Sequence, residues 1–161
     1  MIFVTVGNAT QGFSRLLDAV EKLAVSGAFG SEEVFMQIGN NRSFHPKACQ
    51  VAPFLTMEEF QSRMSSARLI VCHGGCTVFQ ALRLGKLPVV MPRMKRYGEH
   101  VNDHQVIFVK ALTAEHRVVP AYEAGDLAEA VKEASVRTPL PWPEGQMQTL
   151  IGQAIRELLP K

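Results

Sequence analysis

Long hydrophobic runs are missing from this sequence: no apolar stretch approaches the roughly 20 residues that span a bilayer, so no helical anchor is expected. Cysteine is scarce and odd in number. Cys49, Cys72 and Cys76 fit a reducing compartment better than a disulfide scaffold, and the spacing of Cys72 and Cys76 does not match common zinc knuckles. Net charge is also small, at +2, which argues against nucleic acid as a partner. Met1-Ile2-Phe3-Val4-Thr5-Val6 lacks a basic leader and reads as a strand, so a cytoplasmic location is expected. Three motifs are absent as well: a serine nucleophile elbow, a Walker lysine loop and a complete Gly-x-Gly-x-x-Gly. Their absence argues against a hydrolase, a nucleotide triphosphatase and a standard dinucleotide oxidoreductase.

What is present suits one domain. The 161 residues suffice for a single full core, and no repeat or internal boundary interrupts them. Apolar β-branched runs alternate with helical periodicity along the chain. Residues 2–6 read as a strand, followed by a helix bearing Phe13, Leu16, Leu17, Val20 and Leu23. Strands are expected at residues 33–38, 51–54, 69–72, 88–91 and 118–119. Helices are expected from Thr56 to about Ala67, from Thr77, from Asn102 to Leu112, and from Gly125-Asp126 through Ala134. Thr138–Pro143 holds three prolines and reads as an extended strap. A last helix, about Gly145–Leu159, carries an apolar stripe including Leu150 and Ile155, suited to its own domain or to a partner. The alternation predicts an α/β, Rossmann-like, mainly parallel sheet with helices on both faces, whose ligands bind at strand carboxyl ends.

Three loops leave such ends. Gly7-Asn8-Ala9-Thr10-Gln11-Gly12 is a small-residue turn in which Asn8 and Thr10 can donate hydrogen bonds. His73-Gly74-Gly75-Cys76-Thr77 carries a strand into a helix N-terminus, where free N–H groups and the helix dipole favour an anion such as phosphate. A plain βα turn is the alternative, and Thr77-x-x-Gln80 also matches a capping box. The third loop concentrates Arg93, Lys95, Arg96, Tyr97, Glu99, His100, Asn102, Asp103, His104 and Gln105, more polarity than solubility requires. Asp103 and Gln105 supply the donors and acceptors that sugar hydroxyls need, although Asn102 and Asp103 also suit helix capping. His100 and His104 lie four apart without the glutamate of a His-Glu-x-x-His zinc motif, so no metal is expected. The residues alone indicate a nucleotide- or phosphate-binding α/β domain.

The blocks MIFVTVG, VCHGG, ALRLGK, PVVMPR and KRYGEHVNDHQ resemble the glycosyltransferase family 28 C-terminal domain. The likeness covers roughly residues 1 to 135 and is closest to short single-domain members that act as subunits of two-component enzymes. It implies the donor-binding half of a GT-B glycosyltransferase, with a UDP-sugar as substrate and no cofactor or metal. By that resemblance Gly74, Gly75 and Thr77 face the diphosphate, Gln80 the ribose, and Asp103 and Gln105 the donor sugar, with Gly7, Asn8, His73 and Cys76 also among the donor-binding residues. Arg93, Glu99 and His100 would shape the crevice. The acceptor-activating base would come from a membrane-associated acceptor-domain subunit, placing this chain peripherally at the membrane. Whether the isolated chain forms a homo-oligomer stays open. Three departures are visible: the glycine turn is one residue short, Gln80 stands where a glutamate is common, and Asn8 replaces a usual threonine. They favour a non-catalytic accessory subunit as the alternative, and a sugar-nucleotide isomerase or epimerase is a third option.

Overall fold

The computed structural model describes residues 1–141. The proposed helix near Gly145–Leu159 lies outside the described residues, as do Trp142 and Pro143 of the strap. Six strands form one sheet: β1 (Ile2–Thr5), β2 (Val34–Gln37), β3 (Gln50–Ala52), β4 (Leu69–His73), β5 (Val89–Met91) and β6 (Val119–Pro120). Their spatial order is β3-β2-β1-β4-β5-β6, and every neighbouring pair is parallel. Parallel strands require crossovers: α1 (Ser14–Val25), α2 (Met57–Ser66), α3 (Thr77–Arg83) and α4 (His104–Ala114) supply four of them, residues 38–49 carry β2 to β3 without a helix, and α5 (Leu127–Val136) follows β6.

Period-two alternation divides the core into two layers. Ile2, Val4, Val34, Met36, Leu69, Val71, Val89 and Met91 pack with Leu16, Leu17 and Val20 of α1 and with Leu127, Ala130 and Val131 of α5. Phe3, Phe35, Ile70, Cys72 and Val90 face the other way, against Met64 of α2, Val78, Ala81 and Leu82 of α3, and Val109 of α4. Every residue of β1, β2 and β5 is buried, as burial on both faces demands. Helices therefore cover both faces of a parallel sheet, the arrangement expected from the sequence.

The capping box at Thr56 is present: the Glu59 N–H donates to Thr56 Oγ1 at 3.2 Å, and the Thr56 N–H donates to Glu59 Oε2 at 2.8 Å. The analogous box at Thr77 and Gln80 is not. There α3 begins at Thr77 itself, with Cys76 in the N-cap position and no side-chain cap. Helix α4 starts at His104 rather than Asn102, because residues 94–99 first close on themselves. A 3₁₀ turn at Lys95–Tyr97 ends at Gly98, whose φ of 67° suits a residue without a Cβ. Another 3₁₀ turn, Ala124–Asp126, precedes α5.

Thr56→Ala removes half of the capping box and should cost about 1 kcal/mol. Urea unfolding should then show a lower midpoint at unchanged slope. Phe3, wholly buried between the Phe35 and Phe60 rings at centroid distances of 6.3 and 5.5 Å, sets a larger scale. Phe3→Ala should cost about 3–5 kcal/mol in the same measurement.

Candidate functional site

Strands β1 and β4 are neighbours, yet the helices that follow them lie on opposite faces of the sheet. Their carboxyl ends mark the topological switch point, where ligands of such sheets bind. The loop after β1 is built on buried polar groups. Gln37, at the end of β2, donates from Nε2 to Gly7 O, Asn8 Oδ1 and Pro53 O, each at 3.3 Å. Thr5 donates its hydroxyl to Gln37 Oε1 and accepts the Gly7 N–H at 3.2 Å. Asn41 accepts the Phe13 N–H at 2.7 Å and donates to Ile38 O at 2.7 Å, fixing the start of α1. Gln37 and Asn41 were missed by sequence reasoning. A glutamine ending an otherwise apolar strand was the available signal.

The turn after β4 is packed from three sides. Gly7, at φ of 74°, and Gly75 flank the His73 ring so closely that an added Cβ would lie 2.5 Å from His73 Cε1 at Gly7 and 2.3 Å from His73 Nε2 at Gly75. Gly74 sits against α4, where a Cβ would come within 3.0 Å of Val109 and 3.1 Å of Gln105. These contacts give both glycines of the turn a steric reason. The Gly75 N–H is taken by His73 O at 2.9 Å, and Gly75 O accepts from Val78 at 3.0 Å. Among the described residues the N–H groups of Gly74, Cys76 and Thr77 have no backbone partner, so they are the turn's available anion donors. Thr77 is buried, whereas Cys76 is exposed. Gln80 is exposed one turn further on and lines a groove with Phe60, Met64, Arg83 and Leu84, on the side of α2.

Arg93 is the largest fully buried side chain. Its Nη1 donates to Gln11 O, Gly12 O and Glu99 O at 3.0, 3.1 and 3.1 Å, and its Nη2 donates to Val6 O at 2.9 Å. The Phe13 ring lies 4.7 Å from the guanidinium carbon. Burial pulls its pKa down to about 10, opposed by Glu99, so it remains a cation at neutral pH. Arg93 thus ties the loop after β1 to the loop after β5. Glu99, equally buried, is held by Arg15 through two bonds of 2.9 and 2.7 Å and accepts the Met94 N–H at 3.0 Å. Arg15 had no signature in the sequence, because its partner is 84 residues away.

The polar loop also answers the capping alternatives. Asn102 accepts the His104 N–H at 3.3 Å, and Asp103 accepts the Lys95 N–H at 2.8 Å, so both carry structural bonds. Gln105 accepts the Arg93 N–H on Oε1 at 3.0 Å, while its Nε2 has no partner among the described residues. His100 and His104 meet edge to face at 4.5 Å across Asn102, brought together by the loop rather than by a shared helical face. Among the described residues no three His, Cys, Asp or Glu side chains are arranged to hold a metal ion.

The crevice floor is cationic. Burial, then the charges of Arg93 and His100, pull the His73 pKa down to about 4, against a smaller opposing effect of the Thr5 carbonyl. Its Nδ1 is buried without a hydrogen bond. His73 is therefore neutral at pH 7. Folding must exclude a proton that the unfolded chain accepts near pH 6.5, so this stability is complete above that value and is lost as pH falls toward about 4. The loss is on the order of 3 kcal/mol. Urea midpoints measured between pH 7 and 4 should fall steeply for the wild type and less steeply for His73→Gln. Gly75→Ala forces the His73 ring to move, and the imidazole titration followed by NMR should rise toward its ordinary range.

Comparison with known proteins follows this geometry. The model of the glycosyltransferase family 28 C-terminal domain matches residues 1–139. Among solved structures, the glycosyltransferase SnogD from Streptomyces nogalater aligns with a TM-score of 0.57 at 21% identity, over 98% of this chain and 38% of that one. The glycotransferase of kitacinnamycin aligns at 0.60 and 15% identity, over 98% and 38%. CalG4, the calicheamicin glycosyltransferase, aligns at 0.50 and 16% identity, over 98% and 37%. At such identities the likeness concerns the fold, that of GT-B glycosyltransferases, and this chain spans less than two fifths of each neighbour's length. None of the curated protein sequences matches the chain. With the family model covering six strands and five helices, the chain belongs to the glycosyltransferase family 28 C-terminal domain family.

Proposed function

We propose that this chain is the donor-binding subunit of a two-component glycosyltransferase, taking a UDP-sugar and transferring its sugar to a lipid-linked acceptor. One observation carries the reading: in a chain of this family, three loops converge on the switch-point crevice with free backbone donors and a cationic floor. The diphosphate would meet Cys76 and Thr77 across Gly74 and Gly75. The sugar would meet Asp103 and the free amide of Gln105, and Gln80 would serve the ribose.

In transfer, the bond between the sugar's anomeric carbon and the diphosphate oxygen breaks, while an acceptor hydroxyl forms the new bond and yields its proton to a base on the partner. Backbone donors and nearby cations would stabilise the departing UDP without a metal ion. The solved neighbours are more than twice the length of this chain, which leaves room for a separate acceptor domain. Phe54 and Met57 after β3, and Tyr97 and Val101 after β5, are exposed on segments that follow strand carboxyl ends, a surface such a domain would cover. Among the described residues no helix is long and apolar enough to cross a membrane, so membrane association would come through that partner.

A second reading, an accessory subunit that keeps the fold and the partner surface, is favoured by the position of Gln80 on the α2 side and by the shortened turn. Calorimetry separates the two. The wild type should bind UDP, and Thr77→Val, which keeps the buried volume but removes the hydroxyl, should weaken binding about tenfold. A wild type that binds no UDP even beside its partner leaves only the accessory reading. Transfer activity of the pair should persist in excess chelator.

A further inference from the structure

Arg15 is the best-connected cation outside the residues assigned to the donor. It lies in the first turn of α1, where a positive side chain is disfavoured by the helix dipole, so helix stability does not explain it. Its contacts do. Nε and Nη2 grip both oxygens of Glu99 at 2.9 and 2.7 Å, Nη2 also reaches Pro92 O at 2.8 Å, and Nη1 reaches Tyr122 O at 2.7 Å. The guanidinium lies 4.8 Å from the Tyr97 ring. Pro92 and Glu99 are the two ends of one loop, so a single planar fork closes that loop at both ends. Both partners of the ion pair are largely buried, with side-chain exposures of 12% and 5%.

We propose that Arg15 is a positioning residue that sets the 92–99 loop over the crevice and thereby aligns the sugar-contacting residues that follow it. This rests on the donor reading given above. Glu99 directly precedes His100, and Asp103 and Gln105 follow within six residues, so a shift of Glu99 displaces the sugar end of the crevice. The turn at 73–77, which would hold the diphosphate, is anchored separately through Gly7, Gly75 and α4. Lysine cannot replace the fork: an ammonium offers no planar pair of donors to a carboxylate while also reaching two carbonyls.

The test uses the full chain and Arg15→Lys, with Glu99→Gln as a second variant should the first fail to fold. Amide hydrogen exchange without ligand should quicken about tenfold across residues 94–103 and stay unchanged in β1 and β4. Calorimetry with UDP-glucose and UDP-N-acetylglucosamine should show about tenfold weaker binding of whichever the wild type accepts, with UDP affinity held within about twofold. Unchanged exchange in the loop overturns the proposal, as does equal weakening of UDP and UDP-sugar, which a merely structural role would produce. Failure of the wild type to bind any of these ligands refutes the donor reading and with it the sugar alignment, while the ligand-free exchange still decides whether Arg15 holds the loop.

Discussion

The guanidinium of Arg93 is the interaction on which the crevice depends. A wholly buried cation is expensive unless its donors are satisfied, and here four carbonyls, of Val6, Gln11, Gly12 and Glu99, meet its two terminal nitrogens, while Nε is buried without a partner. Those carbonyls come from the loop after β1 and from the loop after β5, which are not adjacent strands. One side chain thereby makes a single rigid body of two segments that the sheet alone would leave independent. Gln105 extends this body by holding the Arg93 N–H, and Gly74 touches Gln105 at the start of α4, while the turn after β4 keeps its own anchor in the His73 ring between Gly7 and Gly75.

This body explains the electrostatics of the floor. Because Arg93 points its charge inward, its field reaches His73, and that imidazole must be neutral to occupy the space between Gly7 and Gly75. A neutral ring in a positive environment fills volume without adding a further buried charge. The cations that remain solvent-accessible, Lys95 and Arg96, lie on the outer loop. Arg96 is paired with Glu123, which also receives the Tyr97 hydroxyl at 2.9 Å. The loop is therefore braced on its outer side as well as by Arg15 beneath.

How much of this was legible in the sequence depends on the range of the interaction involved. Strands and helices were legible because period two and period 3.6 are local properties, and the Thr56–Glu59 box was legible because both partners sit within one turn. The convergence of the three loops followed from the parallel topology. What was not legible is how the polar loop is held. Arg93 read as one member of a polar loop, yet it is wholly buried, since its four acceptors include three lying more than 80 residues earlier in the chain. Asp103 read as a ligand contact or a helix cap, and its bond from the N–H of Lys95 had no sign in the sequence. Pairings across 80 residues leave no pattern in a single sequence.

The shortened glycine turn then takes on a defined meaning. A longer turn could present several N–H groups in a row, but here Gly75 turns its N–H back to His73 and its carbonyl to Val78, which separates Gly74 from Cys76 and Thr77, the other donors without backbone partners. Helix α3 has only seven residues, so its dipole is a modest addition. An anion held at this turn alone would be weakly held. The surroundings compensate by rigidity: His73 is wedged between two glycines, Gly74 is wedged on α4, and the loop across the crevice is bound at both ends by Arg15. Preorganised donors lose little entropy on binding, which allows few of them to suffice. Affinity for an anion here would thus depend on how firmly the loops are held, more than on how many groups can touch it.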